Sequence, residues 1–248
     1  ETTARGVNLP SDTYLGIDTC KLSERTMREV VGMSFMNGAS VALDQKNYPA
    51  AVQLYETARP FLPDDPLLKM FLGMSYLFSG KVSEGRELLQ MLKGIRFDWA
   101  VAPETLPDDY LQGFADAEAL KTIFLHVDET RESILEKQAA LKKALARCPK
   151  FREAIFQLAV TYLQLGRGLE AQEVLETYHT LDPNYVTAEY YRAILFTQRL
   201  DYEKAWKTLH HVEALLKERD HRPKASRQLK RSLRGLFPEP LAKNSPLS

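Results

Sequence analysis

The sequence predicts an all-α fold, a right-handed α–α solenoid of about five stacked helical hairpins with one divergent unit and a C-terminal capping helix. Three observations carry this expectation. Ala51 and Gly85 lie 34 residues apart, as do Ala171 and Ala205. Each small residue is followed four positions later by a bulky one: Tyr55, Leu89, Leu175 and Leu209. The breaks Leu62-Pro63-Asp64-Asp65-Pro66 and Leu181-Asp182-Pro183-Asn184 punctuate the apolar runs. A fixed period of about 34 residues marks stacked helix–turn–helix units.

The first unit opens near Gly32, with Phe35, Ala39 and Ala42 on one helix. Tyr48, Ala51, Tyr55 and Ala58 mark its second helix, and Pro63 closes it. Pro66 suits the first turn of the next helix, where its missing N–H costs nothing. The second unit carries Leu72-Gly73 and Tyr76, ends its first helix at Gly80, and continues through Gly85, Leu89 and Leu92. A later unit opens at Arg152 with Ile155, Leu158-Ala159, Tyr162 and Gly166, then Ala171, Leu175 and Tyr178. The last opens at Val186 with Ala193, Phe196, Tyr202, Ala205 and Leu209, and has no closing proline.

Between these pairs the phase breaks. Phe97 and Pro149 hold equivalent closing places but lie 52 apart rather than 34. One degenerate unit plus an insertion near Asp98–Leu106 accounts for this. Pro107-Asp108-Asp109-Tyr110 starts a helix whose first-turn acids suit the helix dipole. Leu111, Phe114, Ala117, Leu120 and Phe124 then recur at helical spacing, which predicts one continuous helix. A second helix is expected from Glu129 to Arg147, and a capping helix over Lys224–Leu236 bears Ala225, Leu229, Leu233 and Leu236.

A large residue, Leu-Gly and Tyr on the first helix, then small and aromatic residues on the second with a closing Pro, resemble the tetratricopeptide repeat. The resemblance covers residues 27–97 and 150–217. It implies a protein-binding array with first helices on the concave face. By repeat position the partner-binding groove is lined by Met33, Met36, Met70, Met74, Phe156, Val160, Tyr190 and Ile194, with Ser40, Leu43, Leu67, Leu77 and Glu153 beside them. Flexible thioethers suit an adaptable helix-binding surface. Some members of that family hold a C-terminal carboxylate in a basic-and-asparagine clamp. Its positions carry Met36, Ser40 and Met70 here, so chaperone-tail binding is not expected. An apolar groove this long needs a cover, either a partner or residues 1–26 or a neighbouring domain in cis.

Residues 1–26 fit no repeat. Glu1-Thr2-Thr3, followed by Gly6, resembles the strand that ends a transglutaminase-like, papain-related domain. In such domains the acid orients a catalytic His, and the resemblance places Glu1 at that acid. The cysteine and histidine of that chemistry would then lie upstream, and this chain would be a non-catalytic appendage.

Other chemistry finds little support. Basic and acidic residues balance at 33 each, so no net charge draws the whole chain to nucleic acid or lipid. Residues 217–248 hold nine Lys or Arg against three acids, which suits a solvated terminal helix or a basic contact. Lys230-Arg231-Ser232-Leu233-Arg234 lacks the aromatics that stack on bases, so nucleic acid is the weaker alternative. His126, His179, His210, His211 and His221 show no metal-ligand spacing. No phosphate-loop or dinucleotide motif occurs. Cys20 and Cys148 are read as free thiols of a cytoplasmic protein. No stretch has the roughly 18 apolar residues of a membrane span.

The expected organisation is therefore an N-terminal extension over 1–26, two repeat units over 27–97, and an insertion with a degenerate hairpin over 98–150. Two further units follow over 151–217, and a basic capping helix with its tail over 218–248. The expected function is a non-enzymatic protein-interaction scaffold with no cofactor, metal or small-molecule substrate. Its partner is a helix or peptide, or an upstream domain in cis.

Overall fold

In a computed structural model, the described residues are 25–95, 104–128, 130–219 and 223–239. Among them twelve α-helices occur and no strand. They fall into two compact units, one over Lys21–Val174 and one that includes Leu175–Ser248. The resemblance of Glu1, Thr3 and Gly6 to a domain-ending strand lies outside the described residues, as do Cys20, Trp99, His221 and the tail from residue 240.

In the first unit, α1 (Met27–Asp44) starts where Thr26 and Glu29 form a capping box. The Thr26 amide donates to Glu29 Oε2 at 2.7 Å, and the Glu29 amide donates to Thr26 Oγ1 at 3.2 Å. Two orphan donors of the first turn are thereby satisfied reciprocally. Asn47 caps α2 (Tyr48–Ala58), and Asp65 Oδ1 caps α3 (Pro66–Phe78) by accepting from the Leu68 amide at 2.9 Å. Pro66 takes the first helical position, as the sequence predicts.

Helix α3 pairs with α4 (Val82–Gln90) through two glycines. A methyl group on Gly85 would meet the Gly73 carbonyl oxygen and Leu77 Cγ at 2.8 Å each. One on Gly73 would meet Leu89 Cδ2 at 3.1 Å. The helices touch backbone to side chain, and Leu77 and Leu89 fill the space beside the contact. In the first hairpin the equivalent residues, Ala39 and Ala51, are fully buried. Tyr76 donates a short hydrogen bond to Glu56, joining the second hairpin to the first.

The divergent hairpin differs from the continuous helix that its apolar spacing predicts. Two short helices form instead, α5 (Leu106–Leu111) and α6 (Ala117–Ile123). Gly113 adopts φ +74° and turns the chain away. The amides of Phe114 and Ala115 both donate to the Asp109 carbonyl, at 2.8 and 3.1 Å. Asp116 then caps α6 by accepting from the Ala119 amide at 2.7 Å. Local chemistry overrides the periodicity here: one left-handed glycine and one capping aspartate suffice to split the helix. The next helix, α7 (Arg131–Arg147), is capped by Thr130 and contacts both α6 and α8 (Arg152–Gln164). A turn with Gly166 at φ +71° leads into α9 (Gly168–Leu181), which runs across the boundary between the units.

The second unit holds α10 (Val186–Gln198), α11 (Tyr202–Glu218) and α12 (Lys224–Leu236). Ala193 and Ala205, on the paired helices α10 and α11, are fully buried. The bounds of α12 agree with the sequence expectation, and it caps the array. Leu229 and Leu233 are buried, and the Tyr202 and Phe237 rings stack at 4.8 Å. Trp206 Nε1 donates to the Phe237 carbonyl at 3.4 Å.

Four of the turns share a left-handed residue at the same repeat position. These are Lys46 and Gly80, 34 apart, and Gly166 and Leu200, again 34 apart. Glycine adopts this conformation freely, whereas Lys46 at φ 60° and Leu200 at φ 62° hold it with a Cβ.

Two stability predictions follow from this geometry. Gly85→Ala should destabilise the protein by about 1–2 kcal/mol in urea denaturation, because overpacking outweighs the gain in helix propensity. Leu200→Gly should stabilise it by up to about 1 kcal/mol, because relieved left-handed strain exceeds the added chain entropy. An unchanged midpoint for Gly85→Ala would show that α3 and α4 can separate at no cost.

Candidate functional site

The residues expected to line a groove divide by exposure. On α1, Met33 is 42% exposed and Met36 half-buried. On α8, Phe156 and Val160 are half-buried. Met70 and Met74 on α3, by contrast, are fully buried, and Tyr190 and Ile194 on α10 are each 1% exposed. These last four are therefore corrected: they are interior residues, not an open surface. Repeat position defines which side of a helix a residue occupies, but not what else covers that side.

The open apolar surface is on α1. Met27 is 79% exposed, Val41 55% and Val30 47%, and Val31 and Met33 42% each. The opposite side of the same helix buries Gly32, Ala39, Ala42 and Leu43. Several large apolar side chains exposed on one helix mark an interaction surface more often than ones scattered singly do.

Within the first unit, α5, α7 and α8 hold a polar interior that the sequence did not reveal. Arg152 Nε donates to Asp109 Oδ1 at 2.6 Å, and Asp109 is fully buried. Glu153, an expected groove position, is only 3% exposed and accepts from Gln157 Nε2 at 2.9 Å. Its other oxygen, Oε2, is buried and has no hydrogen-bond partner. Lys137 Nζ donates to the carbonyls of Ile123 and Leu125 at 2.9 and 3.0 Å, tying α7 to the end of α6. Gln138 Nε2 donates to Thr161 Oγ1 at 3.2 Å between α7 and α8.

Burial sets the charge state of this cluster. Desolvation pushes the Glu153 carboxyl up to about 8, against the lowering effect of the Gln157 bond and with the Asp109 charge adding to it. Desolvation also raises Asp109, to about 6, opposed by the Arg152 guanidinium. Burial depresses the Lys137 ammonium below its ordinary range. At neutral pH the cluster therefore holds a protonated Glu153 beside an ionised Asp109–Arg152 pair.

The second unit holds an ionic cluster of its own, joining the end of α9 to α10. Arg192 donates to Glu176 through Nε at 3.3 Å and Nη2 at 2.8 Å, and to Glu189 Oε2 through Nη1 at 2.7 Å. His179 Nδ1 lies 2.7 Å from Glu189 Oε1 and 2.8 Å from Arg192 Nη1. Glu189 is almost fully buried, so the guanidinium compensates a charge that is otherwise costly to bury. On α12, Lys230 Nζ donates to both oxygens of Glu213, and Arg234 donates to Glu239. Part of the C-terminal basic charge is thus spent on internal ion pairs.

None of these arrangements is a nucleophile–base pair, and no group of three metal-ligating side chains assembles among the described residues. No helix among the described residues is long and apolar enough to cross a membrane.

No protein-family model matches the chain. No curated protein matches it either. Among solved structures, the chain is similar to a crystal structure of MamA at 14% identity and TM-score 0.39, covering 73% of this chain and 96% of that one. It is similar to TTC0263, a thermophilic TPR protein of Thermus thermophilus, at 17% identity and TM-score 0.38, covering 82% and 97%. MamA of AMB-1 is similar at 21% identity and TM-score 0.36, covering 77% and 99%. At these TM-scores the likenesses say nothing about what the chain does.

The buried carboxyls give the protein a pH-dependent stability. A raised folded pKa means that the folded state keeps a proton that the unfolded chain has released. Stability should therefore fall as pH rises, through the window from about 4 to 6 for Asp109 and from about 4.5 to 8 for Glu153. Glu153→Gln cannot ionise, so it should remove most of the loss of stability between about pH 6 and 8. Urea midpoints measured across that range check this, and an identical slope in both proteins would mean that Glu153 is ionised and solvated.

Proposed function

We propose that this chain is a protein-interaction scaffold whose contact surface is centred on α1. The observation that carries this is the exposed row Met27, Val30, Val31, Met33 and Val41 on a helix whose other side is buried in the core. Consecutive hairpins without a catalytic constellation among the described residues fit the same function. The partner engages Met33 and Met36, with Phe156 and Val160 as further half-buried contacts. A partner helix or extended peptide supplies the complementary apolar stripe.

A second reading is that the groove is occupied in cis and that the chain is a non-catalytic appendage of a transglutaminase-like domain. The burial of Met70, Met74, Tyr190 and Ile194 bears only on occupation in cis, because residues of this chain already shield those positions from water. Nucleic-acid binding through α12 is the weakest alternative, since Lys230 and Arg234 already pair with Glu213 and Glu239.

The scaffold function is tested by affinity capture from the native source with the wild-type chain and a Met33→Glu/Met36→Glu variant. Proteins retained by the wild type should be lost from the variant, with the melting temperature unchanged within about 2 °C because neither side chain is in the core. A control at an exposed residue of the second unit, Lys217→Glu, should retain them. Equal capture by all three proteins would remove α1 as the contact surface.

A further inference from the structure

We propose that a cavity at the turn end of the first two hairpins anchors a short peptide segment in which a large apolar side chain stands next to an acidic one. This deepens the scaffold function and rests on it, but it uses other residues than Met33 and Met36.

The cavity has a volume of about 280 Å³ and lies between the α1–α2 turn, the end of α3 and the end of α6. Leu43 and Phe78, both nearly buried, form part of its lining. Three rings continue the wall. Tyr48 and Phe78 meet at 5.3 Å and 59°, and Phe78 and Phe124 at 5.7 Å and 70°. Rings locked against one another in tilted and edge-on contact lose little entropy when a ligand arrives. The volume falls below the roughly 300–1,000 Å³ of small-molecule sites, so it suits one or two side chains of a peptide.

Charge decides which peptide. Lys121 Nζ stands 5.4 Å from the Tyr48 ring centroid and 6.0 Å from that of Phe78, and pairs with Glu118 at 2.5 Å. Its charge is already answered. Lys46 also lines the cavity, is exposed, and forms no ion pair among the described residues. The left-handed turn at φ 60° holds it there. A carboxylate adjacent to the anchoring side chain pairs with Lys46, whereas a cation there meets Lys46 as a like charge, the Lys121 charge being matched by Glu118, which also lines the cavity.

The probe is the capped peptide acetyl-Gly-Ser-Phe-Glu-Gly-Ser-amide, titrated into the ¹⁵N-labelled full chain. Two control peptides replace Phe by Ala, or Glu by Lys. The Phe-Glu peptide should shift the amide resonances of Lys121, Thr122 and Leu125 saturably, and each control should bind about five- to tenfold more weakly, as expected for the loss of one good contact. Thr122→Trp, which fills the cavity, should abolish the shifts. Lys46→Glu, at an exposed turn residue, keeps the protein folded and should reverse the preference toward the Phe-Lys peptide. The Met33→Glu/Met36→Glu variant should bind the peptide like the wild type. No saturable shift, or equal binding of the Phe-Glu and Phe-Lys peptides, overturns the site. If those results arise while partner capture still depends on Met33 and Met36, the scaffold stands and the cavity alone is excluded.

Discussion

Close approach of paired helices is the constraint on which the rest of this protein depends. At Gly85 there is no room for a methyl group, because the Gly73 carbonyl oxygen and Leu77 already occupy its place, and at Gly73 one fits only if Leu89 gives way. Ala39 and Ala51, and Ala193 and Ala205, are fully buried on the other paired helices. A small residue on each partner brings the axes together, and the bulky residue one turn on fills the space beside the contact. Tyr55, Leu89 and Leu209, all fully buried, do this in turn. Each hairpin is thus held by packing more than by helix propensity, which is modest in sequences as rich in aromatic and β-branched residues as these.

Tight pairing constrains the turns as well. Two helices this close are joined by only a few residues, and a left-handed residue closes the first helix of the pair. Gly80 and Gly166 meet that demand without strain, while Lys46 and Leu200 meet it with a side chain in place. In the divergent hairpin the same device acts inside what the apolar spacing presents as one helix. Gly113 splits it into α5 and α6. The split brings Asp109 against Arg152 and leaves Glu153 enclosed beside them. The burial of Asp109 and Glu153 is therefore a consequence of the irregular unit, and its cost is contained by pairing in one case and protonation in the other.

The surfaces that remain differ in character. Helix α1 keeps large apolar side chains in water, whereas α12 turns Leu229 and Leu233 inward and presents charge outward, much of it paired. Within its own unit α12 packs on α10 and α11 with its polar side outward, the arrangement of a capping helix in repeat arrays. Among the described residues, no element shields the exposed side chains of α1 from water. The proposed contact surfaces are those apolar side chains and the aromatic cavity beside the first turn.

By itself, the sequence determined the fold class, the hairpin pairs, the start of α3 at Pro66 and the extent of α12. These depend on interactions within about one helical turn, or on a repeat that restates the same contact several times. Small residues 34 apart can be seen without knowing what they touch. Tertiary structure alone decided which apolar positions are surface. Met36 and Met70 lie 34 apart at the same repeat position, yet one is half-buried and the other fully buried. It also decided that Asp109 and Arg152, 43 residues apart, form a buried pair, and that Glu153 at a groove position is enclosed. Asp109 reads in sequence only as a first-turn acid suited to the helix dipole. The physical reason is range: periodicity reports the side of a helix on which a residue lies, whereas burial and pKa depend on whatever the rest of the chain brings to that side.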